Sequence, residues 1–343
     1  MQQRLLSAEE IASQAGMRIP FLRLPDAHDV FAHRAQRLRA LAAGHAAGAY
    51  LDFVACVADA QQRALAETSP PPAVDARELQ QAQQHGFPPL RAAGSALLPA
   101  WQDTLRDIVD GLPAGLPPAV HAATQRLKAM PADALELQAH RLMSGISVGL
   151  DNALAPFVGA ALQVYYTQRV LALPAEAFNP THAPSLCPCC GSHPVASVVH
   201  IGGDAAGLRY LQCSLCSAQW HMVRIKCARC QSTKGIAYYA VDVAGRAAHE
   251  HAVMAEGCSE CGSYTKIVYM NRDAAVDPCA DDLASLALDL LMHDRDYQRW
   301  GVNLMLLQGD PDDVHDEVGD ARQASPTAQV AATSLPFAPE VSP

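Results

Sequence analysis

Residues 187–191 read Cys-Pro-Cys-Cys-Gly, the first of four places where two cysteines are separated by two residues. The four pairs are Cys187/Cys190, Cys213/Cys216, Cys227/Cys230 and Cys258/Cys261. Random placement of the eleven cysteines of this chain would give only about 0.3 such pairs. Two intervening residues allow a tight turn, called a knuckle here, that directs both sulfurs at one ion. The pattern therefore predicts metal binding.

Glycine directly follows the second cysteine in two of the knuckles, at Gly191 and Gly262. A knuckle often needs a positive φ at this position, which glycine adopts without strain. The same glycine resolves an ambiguity in the first knuckle, where Cys187, Cys189 and Cys190 are all present. The register selects Cys187 and Cys190 as ligands and leaves Cys189 as a spare thiol inside the turn.

Four thiolates around one ion form a tetrahedral site suited to zinc or to mononuclear iron, and the sequence does not choose between these ions. Sequential pairing of the knuckles is the simplest topology, although a crossed pairing stays open. Sequential pairing predicts a first site from Cys187, Cys190, Cys213 and Cys216 and a second from Cys227, Cys230, Cys258 and Cys261. Because protein fills every coordination position, hydrolytic metal chemistry is disfavoured, whereas iron would allow one-electron redox chemistry.

Composition and charge indicate where the protein is located and which classes of partner are disfavoured. The 343 residues carry a net charge of −10, which disfavours a nucleic-acid partner. The first ten residues contain no apolar run, so no signal peptide is predicted. Residues 152–168 are too short and too polar to insert into a membrane, and predict a buried helix instead. We therefore expect a cytoplasmic protein whose thiols stay reduced and bind metal rather than form disulfides.

The part of the chain before the cysteines has helical periodicity, with apolar residues three and four positions apart. We expect an all-α domain over residues 1–174, with its last helix in the centre, and a proline-rich linker over 175–186. The predicted helices cover residues 29–46, 50–65, 97–112, 117–130, 131–142 and 149–173, with one more following a cap at Asp75.

The cysteine-rich part has short β-branched and aromatic segments between glycine turns, typical of small β-hairpin ribbons. Strands are predicted at residues 195–201, 208–212, 220–225, 236–243 and 265–270. We assign one four-cysteine module to residues 187–226 and another to 227–277, followed by a helical segment over 278–307. Asp281 and Asp282 are interpreted as caps of the helix before Leu283. Residues 308–343 are predicted to be disordered.

Few other residues indicate a specific chemistry. Trp220 is interpreted as packing over a ribbon core rather than as an exposed recognition residue. Arg224, Lys226 and Arg229 lie near the third knuckle, in a region from 187 to 272 that has eight Lys and Arg against five Asp and Glu. This excess is a weak indication of an anionic partner and more often marks a solvated face. Because no phosphate loop, Ser-His-Asp set or carboxylate pair is visible, we predict that the chain is not an enzyme.

The knuckles and the residues around them resemble one known family. The resemblance rests on Ile19-Pro-Phe-Leu-Arg-Leu-Pro25, Cys187-Pro-Cys-Cys-Gly191, Arg209-Tyr-Leu-Gln-Cys-Ser-Leu-Cys216, Trp220-His-Met-Val-Arg-Ile-Lys-Cys227, Cys258-Ser-Glu-Cys261 and Asp281-Asp-Leu-Ala-Ser-Leu-Ala-Leu-Asp289. Over about residues 17 to 307 the chain resembles the formate dehydrogenase accessory protein family FdhE. Gln219 departs from the acidic residue expected before Trp-His.

The resemblance implies an α+β fold: an all-α N-terminal domain, two rubredoxin-like (zinc-ribbon-like) metal modules and a C-terminal helix. It also implies a non-catalytic cytoplasmic role in maturing respiratory formate dehydrogenase. In that role the protein binds the enzyme's molybdenum- or tungsten-containing catalytic subunit before export.

Two other functions stay open from the residues alone. One is a rubredoxin-like electron carrier or redox sensor, and the other is a zinc-ribbon nucleic-acid-binding protein, which the negative charge disfavours. The sequence also leaves open whether the helical domain forms a homodimer.

Overall fold

The computed structural model describes residues 19–68, 71–72, 74–94, 97–241 and 250–306. The predicted disordered segment 308–343 lies outside these residues, as does the end of the strand predicted at 236–243. Within the described residues, the helices and strands form an α+β fold, as the sequence predicts. None of the described helices combines the length and the apolar character that crossing a membrane requires.

Seven helices occupy the N-terminal part of the described chain. They are α1 (Val30–Ala42), α2 (Gly48–Glu67), α3 (Ala76–Gln84), α4 (Ala100–Asp110), α5 (Pro118–Ala129), α6 (Ala132–Ser144) and α7 (Ala155–Leu171). In α7 every residue except Arg169 and Leu171 is buried, which confirms that this helix is central. It begins later than predicted because residues 152–154 form a turn, and Pro156 lies in the first helical turn, where its missing N–H leaves no hydrogen bond unmade.

Eight described strands form one mixed sheet. They are β1 (Leu22–Arg23), β2 (Pro194–Val199), β3 (Arg209–Cys213), β4 (Gln219–His221), β5 (Ile236–Tyr239), β6 (Val253–Cys258), β7 (Ser263–Tyr269) and β8 (Gln298–Arg299). Their order is β1-β4-β3-β2-β7-β6-β5, and β8 pairs with β7. The two ribbons are joined where β2 runs parallel to β7, with Ser197 opposite Ile267. The two cysteine modules therefore share one continuous sheet.

The segment after the second ribbon begins with a capped helix, α8 (Pro278–Leu283), and continues into α9 (Leu286–His293). The carboxylate of Asp277 accepts hydrogen bonds from the N–H groups of Cys279 and Ala280, so Asp277 is the cap of α8. The interpretation of Asp281 and Asp282 as the N-caps is therefore wrong, although the Asp281 carboxylate contributes to the same helix start by accepting the Asp277 N–H at 2.8 Å. Pro278 at the first helical position sets the helix start four residues earlier than assumed.

Asp281 and Asp282 instead connect α8 to the two halves of the fold. Asp281 is buried and pairs with Arg37 of α1, at 2.6 Å. Asp282 is equally buried and pairs with Lys266 of β7 and Arg299 of β8. Neighbouring positions on a helix face different directions. The Asp281 carboxylate therefore pairs with the helical domain, and the Asp282 carboxylate pairs with the sheet. Buried charges of this kind are tolerated only when they are paired.

The main hydrophobic core extends from the helices into the first ribbon. It includes Trp101, Phe157 and Tyr165 of the helical domain together with Trp220 and the cysteines of the first two knuckles. The second ribbon packs instead on a smaller cluster, formed by Tyr239, Ala255, Tyr264, Leu288, Leu291 and Met292. The larger clusters beneath the two ribbons are thus different, although a small cluster of Val199, Met254, Ile267 and Tyr269 spans both ribbons where β2 meets β7.

Candidate metal centres

The first candidate centre lies at the turn before β2 and the turn between β3 and β4, where the Gln163 side chain of α7 donates to the Ser214 carbonyl. Its sulfurs are those of Cys187, Cys190, Cys213 and Cys216, which all lie within 4.8 Å of one another. The Sγ atoms of Cys187 and Cys216 are 3.6 Å apart, and those of Cys190 and Cys213 are 3.4 Å apart. All four residues are buried. This is the sequential grouping predicted from the knuckle order.

The second candidate centre lies at the turn that precedes β5 and the turn between β6 and β7. It brings together Cys227, Cys230, Cys258 and Cys261, again within 4.8 Å of one another. The Sγ–Sγ distances are 3.8 Å between Cys227 and Cys261 and 3.7 Å between Cys230 and Cys258. Cys227 and Cys258 are buried, whereas Cys230 is exposed and Cys261 is half-buried.

The same turn recurs in all four knuckles. In the first, the Gly191 N–H donates to the Cys187 carbonyl at 2.8 Å, and the third and fourth have the matching bond. The residue after the second cysteine has a positive φ each time: 78° at Gly191, 57° at Ser217, 64° at Gln231 and 63° at Gly262. A glycine after the second cysteine therefore marks this conformation in the sequence for two of the knuckles. The other two adopt the same backbone conformation at Ser217 and Gln231.

Backbone N–H groups in the knuckles also face the sulfurs. Leu215 and Cys216 donate to the Cys213 sulfur, both at 3.4 Å. In the second centre, Arg229 and Cys230 donate to the Cys227 sulfur, at 3.4 and 3.5 Å. Such N–H···S contacts stabilise thiolates in preference to thiols, because a donor favours the charged form of its acceptor.

The arrangement of both groups fits a tetrahedral metal ion. A metal–sulfur bond of about 2.3 Å in a regular tetrahedron places the sulfurs about 3.8 Å apart. The observed distances between the closest sulfurs, from 3.4 to 3.8 Å, agree with this value. All eight cysteines are free of disulfides. Each group can therefore hold one metal ion, and a set of four sulfur ligands suits zinc or iron.

The thiol pKa values differ within and between the two centres. Burial raises the pKa of Cys213 and Cys216 well above the usual range. Burial also raises the pKa of Cys261, but hydrogen bonds with Ser263 outweigh this effect and lower the pKa to about 7. Both centres are mixed, because burial acts to raise the pKa of Cys187 in the first centre but hydrogen bonds with neighbouring cysteines lower it, whereas burial raises the pKa of Cys227 in the second to about 12. Each centre therefore contains thiols whose ionisation a bound cation would favour.

Other residues singled out in the sequence occupy structural positions. Cys189 belongs to neither sulfur group and is completely buried. Its carbonyl accepts a hydrogen bond from Leu90, and burial raises the pKa of its thiol. Trp220 is buried, and its indole N–H donates to the Pro184 carbonyl at 3.0 Å. The interpretation of Trp220 as a core residue is therefore correct, and Cys189 is the spare thiol.

A buried ion pair, for which no sequence pattern provides a signal, joins the two ribbons. Arg209 of β3 pairs with Glu256 of β6 at 2.9 Å, and both side chains are almost completely buried. The same guanidinium donates to Ser197 of β2 and to the carbonyl of Lys226, which precedes Cys227 of the second sulfur group. The paired Arg209 thus holds the backbone carbonyl that directly precedes the third knuckle.

Three family models match successive parts of the chain. They are described as "FdhE, N-terminal" over residues 19–183, "FdhE, central domain" over 186–224 and "FdhE, C-terminal domain" over 225–306. A "Protein FdhE homolog" of Edwardsiella ictaluri (strain 93-146) is 40% identical over 315 residues, which cover 90% of this chain and 98% of the relative. The chain belongs to the FdhE family.

Further FdhE relatives agree. The "Protein FdhE homolog" of Pseudomonas aeruginosa is 38% identical over 309 residues, which cover 90% of this chain and 99% of that protein. The crystal structure of the FdhE protein from Pseudomonas aeruginosa superimposes with a TM-score of 0.76 at 39% identity, covering 85% of this chain and 100% of that one. The match to the FdhE central domain contains the first sulfur group, and the match to the C-terminal domain contains the second.

Proposed function

We propose that this chain is an accessory factor for the maturation of a respiratory formate dehydrogenase, and that it binds the catalytic subunit in the cytoplasm before export. Membership of the FdhE family supports an accessory role related to formate dehydrogenase. The role is non-catalytic: the chain acts by binding the subunit and performs no reaction on it.

The observation that carries this proposal is the construction of the two sulfur groups. Each has four cysteines in tetrahedral spacing, so a bound ion has no open position for a substrate or for an activated water. We assign all eight cysteines as ligands of two ions, iron or zinc. The ions supply cross-links that make the sheet rigid, because ribbons of this size have small cores of their own. A rigid sheet presents a fixed surface to a folded partner.

Association with the catalytic subunit tests the proposal. The tagged chain and the purified formate dehydrogenase catalytic subunit are expected to elute together in size-exclusion chromatography. Deleting the gene is expected to abolish respiratory formate oxidation, and plasmid-borne wild type should restore it. Unchanged formate oxidation in the deletion strain, or separate elution of the two purified proteins, would contradict the accessory role.

The exposure of Cys230 in the second group favours one second candidate, a rubredoxin-like electron carrier or redox sensor. Electrons reach a metal more readily when a ligand lies at the surface. Anaerobically purified protein would then show visible absorption that a reductant bleaches and air restores. A colourless zinc-containing protein would rule out this candidate while leaving the accessory role intact.

A further inference from the structure

One segment of this acidic chain is entirely cationic. Residues 205–241 contain five Lys and Arg and no Asp or Glu, although the whole chain has a net charge of −10. Arg209 is buried and paired. The side chains of the other four, Arg224, Lys226, Arg229 and Lys234, form no ion pair with any acidic residue in the described part of the chain.

Two of these four cations have a charged or aromatic neighbour: Arg224 is near Arg272, and Arg229 is near Trp300. Burial lowers the pKa of Arg272 and the nearby charge of Arg224 lowers it further, and neither side chain forms an ion pair with an acidic residue in the described part of the chain. Arg272 is stacked over the Tyr269 ring at 3.8 Å, and Arg229 lies over the Trp300 ring at 5.2 Å. Neighbouring positive charges repel one another, and an anion bound near both arginines would offset this repulsion.

The backbone carbonyls of Arg224 and Lys226 both accept hydrogen bonds from buried or half-buried side chains. The Tyr238 hydroxyl donates to the Arg224 carbonyl at 3.2 Å, and Arg209 donates to the Lys226 carbonyl at 3.0 Å. Val223 precedes these anchored carbonyls and Ile225 lies between them, and the two side chains expose 36% and 57% of their surface. We call Val223, Arg224, Ile225, Lys226, Arg229 and Arg272 the basic surface. It combines an exposed apolar pair with a cationic rim, the composition typical of a protein interface.

A structural explanation would be that these cations neutralise the thiolates of the second centre. The hydrogen bonds described for those thiols come from backbone N–H groups and from the Ser263 hydroxyl, and none comes from a Lys or Arg side chain of the described residues. A nucleic acid is a poorer fit, because its bases stack on exposed aromatic rings and here the exposed centre is aliphatic.

We propose that the basic surface is the docking site for an acidic segment, interspersed with apolar residues, of a protein partner. Resting on the function proposed above, this partner is the formate dehydrogenase catalytic subunit. Carboxylates of the segment pair with Arg224 and Arg272, and its apolar side chains cover Val223 and Ile225. Opposite charge across such an interface accelerates association and fixes the orientation of the partner.

Binding of full-length variants to the purified catalytic subunit, measured by biolayer interferometry at low and high salt, tests the docking site. We expect Arg224→Glu and Ile225→Ser each to weaken binding by about tenfold or more. Wild-type affinity should fall as salt rises, because screening acts on exposed charges. Arg77→Glu and Val148→Ser are the matched controls, since both residues are exposed on the helical domain, and they should bind as wild type does.

The metal content and melting temperature of each variant confirm that it is folded. If wild type binds the subunit and both variants bind equally well, the basic surface is not the docking site, while the proposed function stands. If wild type does not bind the subunit, the proposed function fails, and the partner inferred here fails with it. Substitutions that weaken binding to a duplex DNA probe and leave subunit binding unchanged would also overturn the inference.

Discussion

The two sulfur groups are nearly identical in sequence pattern and differ sharply in their surroundings. Every cysteine of the first group is at most 1% exposed and belongs to the core that the helices also use. In the second group Cys230 is exposed and Cys261 is half-buried, beside a smaller cluster. A knuckle pattern thus specifies which cysteines come together, whereas the contacts around them would determine what a bound ion stabilises and how easily it leaves.

The largest difference is expected when one ligand of each group is replaced. Loss of a structural zinc site removes on the order of 10 kcal/mol, as much as the stability of a whole domain. Cys213→Ser should therefore melt the helical domain, because its site is part of the main core. Cys258→Ser should leave the helices folded. Far-UV circular dichroism with thermal melting distinguishes the two.

Cys56→Ser is the control for both substitutions, since Cys56 lies on α2 outside either sulfur group, and its effect should stay within about 1 kcal/mol. Equal loss of helical signal in Cys213→Ser and Cys258→Ser would contradict the contrast between a core site and a peripheral one.

Replacing the buried Arg209 of the ion pair that links the two ribbons should give the next largest loss of stability. Arg209→Met leaves Glu256 buried without its partner, which costs about 3–5 kcal/mol in unfolding free energy. Burial already raises the pKa of Glu256, and removing the arginine raises it further. The carboxyl is then tolerated best when protonated, so the destabilisation should grow as pH rises from about 5 to about 8. Urea unfolding at several pH values measures it.

Arg106→Met provides the comparison, because Arg106 pairs with Asp103 on an exposed helix face. Such exposed pairs contribute within about 0.5 kcal/mol. If Arg209→Met were as mild as Arg106→Met, the buried pair would not couple the two ribbons.

Exposure should also order the release of the ions. A chelator reaches the second group through Cys230, whereas the first group opens only when the core opens. We expect two phases of metal release, with the second centre at least about tenfold faster, a barrier difference of about 1.4 kcal/mol. A chromogenic metal indicator follows the release, and Cys258→Ser should lack the fast phase. A single phase for both ions would show that exposure does not govern access.

The smallest expected difference compares equivalent glycines. Gly191→Ala and Gly262→Ala each place a side chain at positive φ, which costs about 1–2 kcal/mol. An alanine Cβ at 191 would also meet Pro88 at 3.3 Å, whereas at 262 it meets nothing within 4 Å. Thermal melting should therefore show the larger decrease for Gly191→Ala. A larger decrease in melting temperature for Gly262→Ala would contradict the idea that the first knuckle is the more tightly packed of the two.

The sequence predicted the features that depend on local spacing. The knuckle register identified Cys187 and Cys190 in a crowded run, and the apolar character of residues 152–168 indicated the buried α7. Both signals arise from residues within a turn or two of one another, so the chain itself carries the geometry.

Features that depend on distant partners were not predictable in this way. The parallel pairing of β2 with β7, separated by more than 60 residues, has no local signal. Strand β6 was missed because its Ala-Glu-Gly run lacks β-branched residues. Asp281, Asp282 and Glu256 were indistinguishable in sequence from surface charges, because their burial depends on which basic residues the fold brings to them.

Metal analysis of the anaerobically purified chain tests the central claim most directly, namely that eight cysteines form two separate metal centres. Elemental analysis should find two equivalents of zinc or iron per chain in the wild type and one in Cys258→Ser. Fewer than two equivalents in the wild type, with the cysteines recovered as disulfides, would contradict the account. So would the loss of both ions in Cys258→Ser while its helices remain folded.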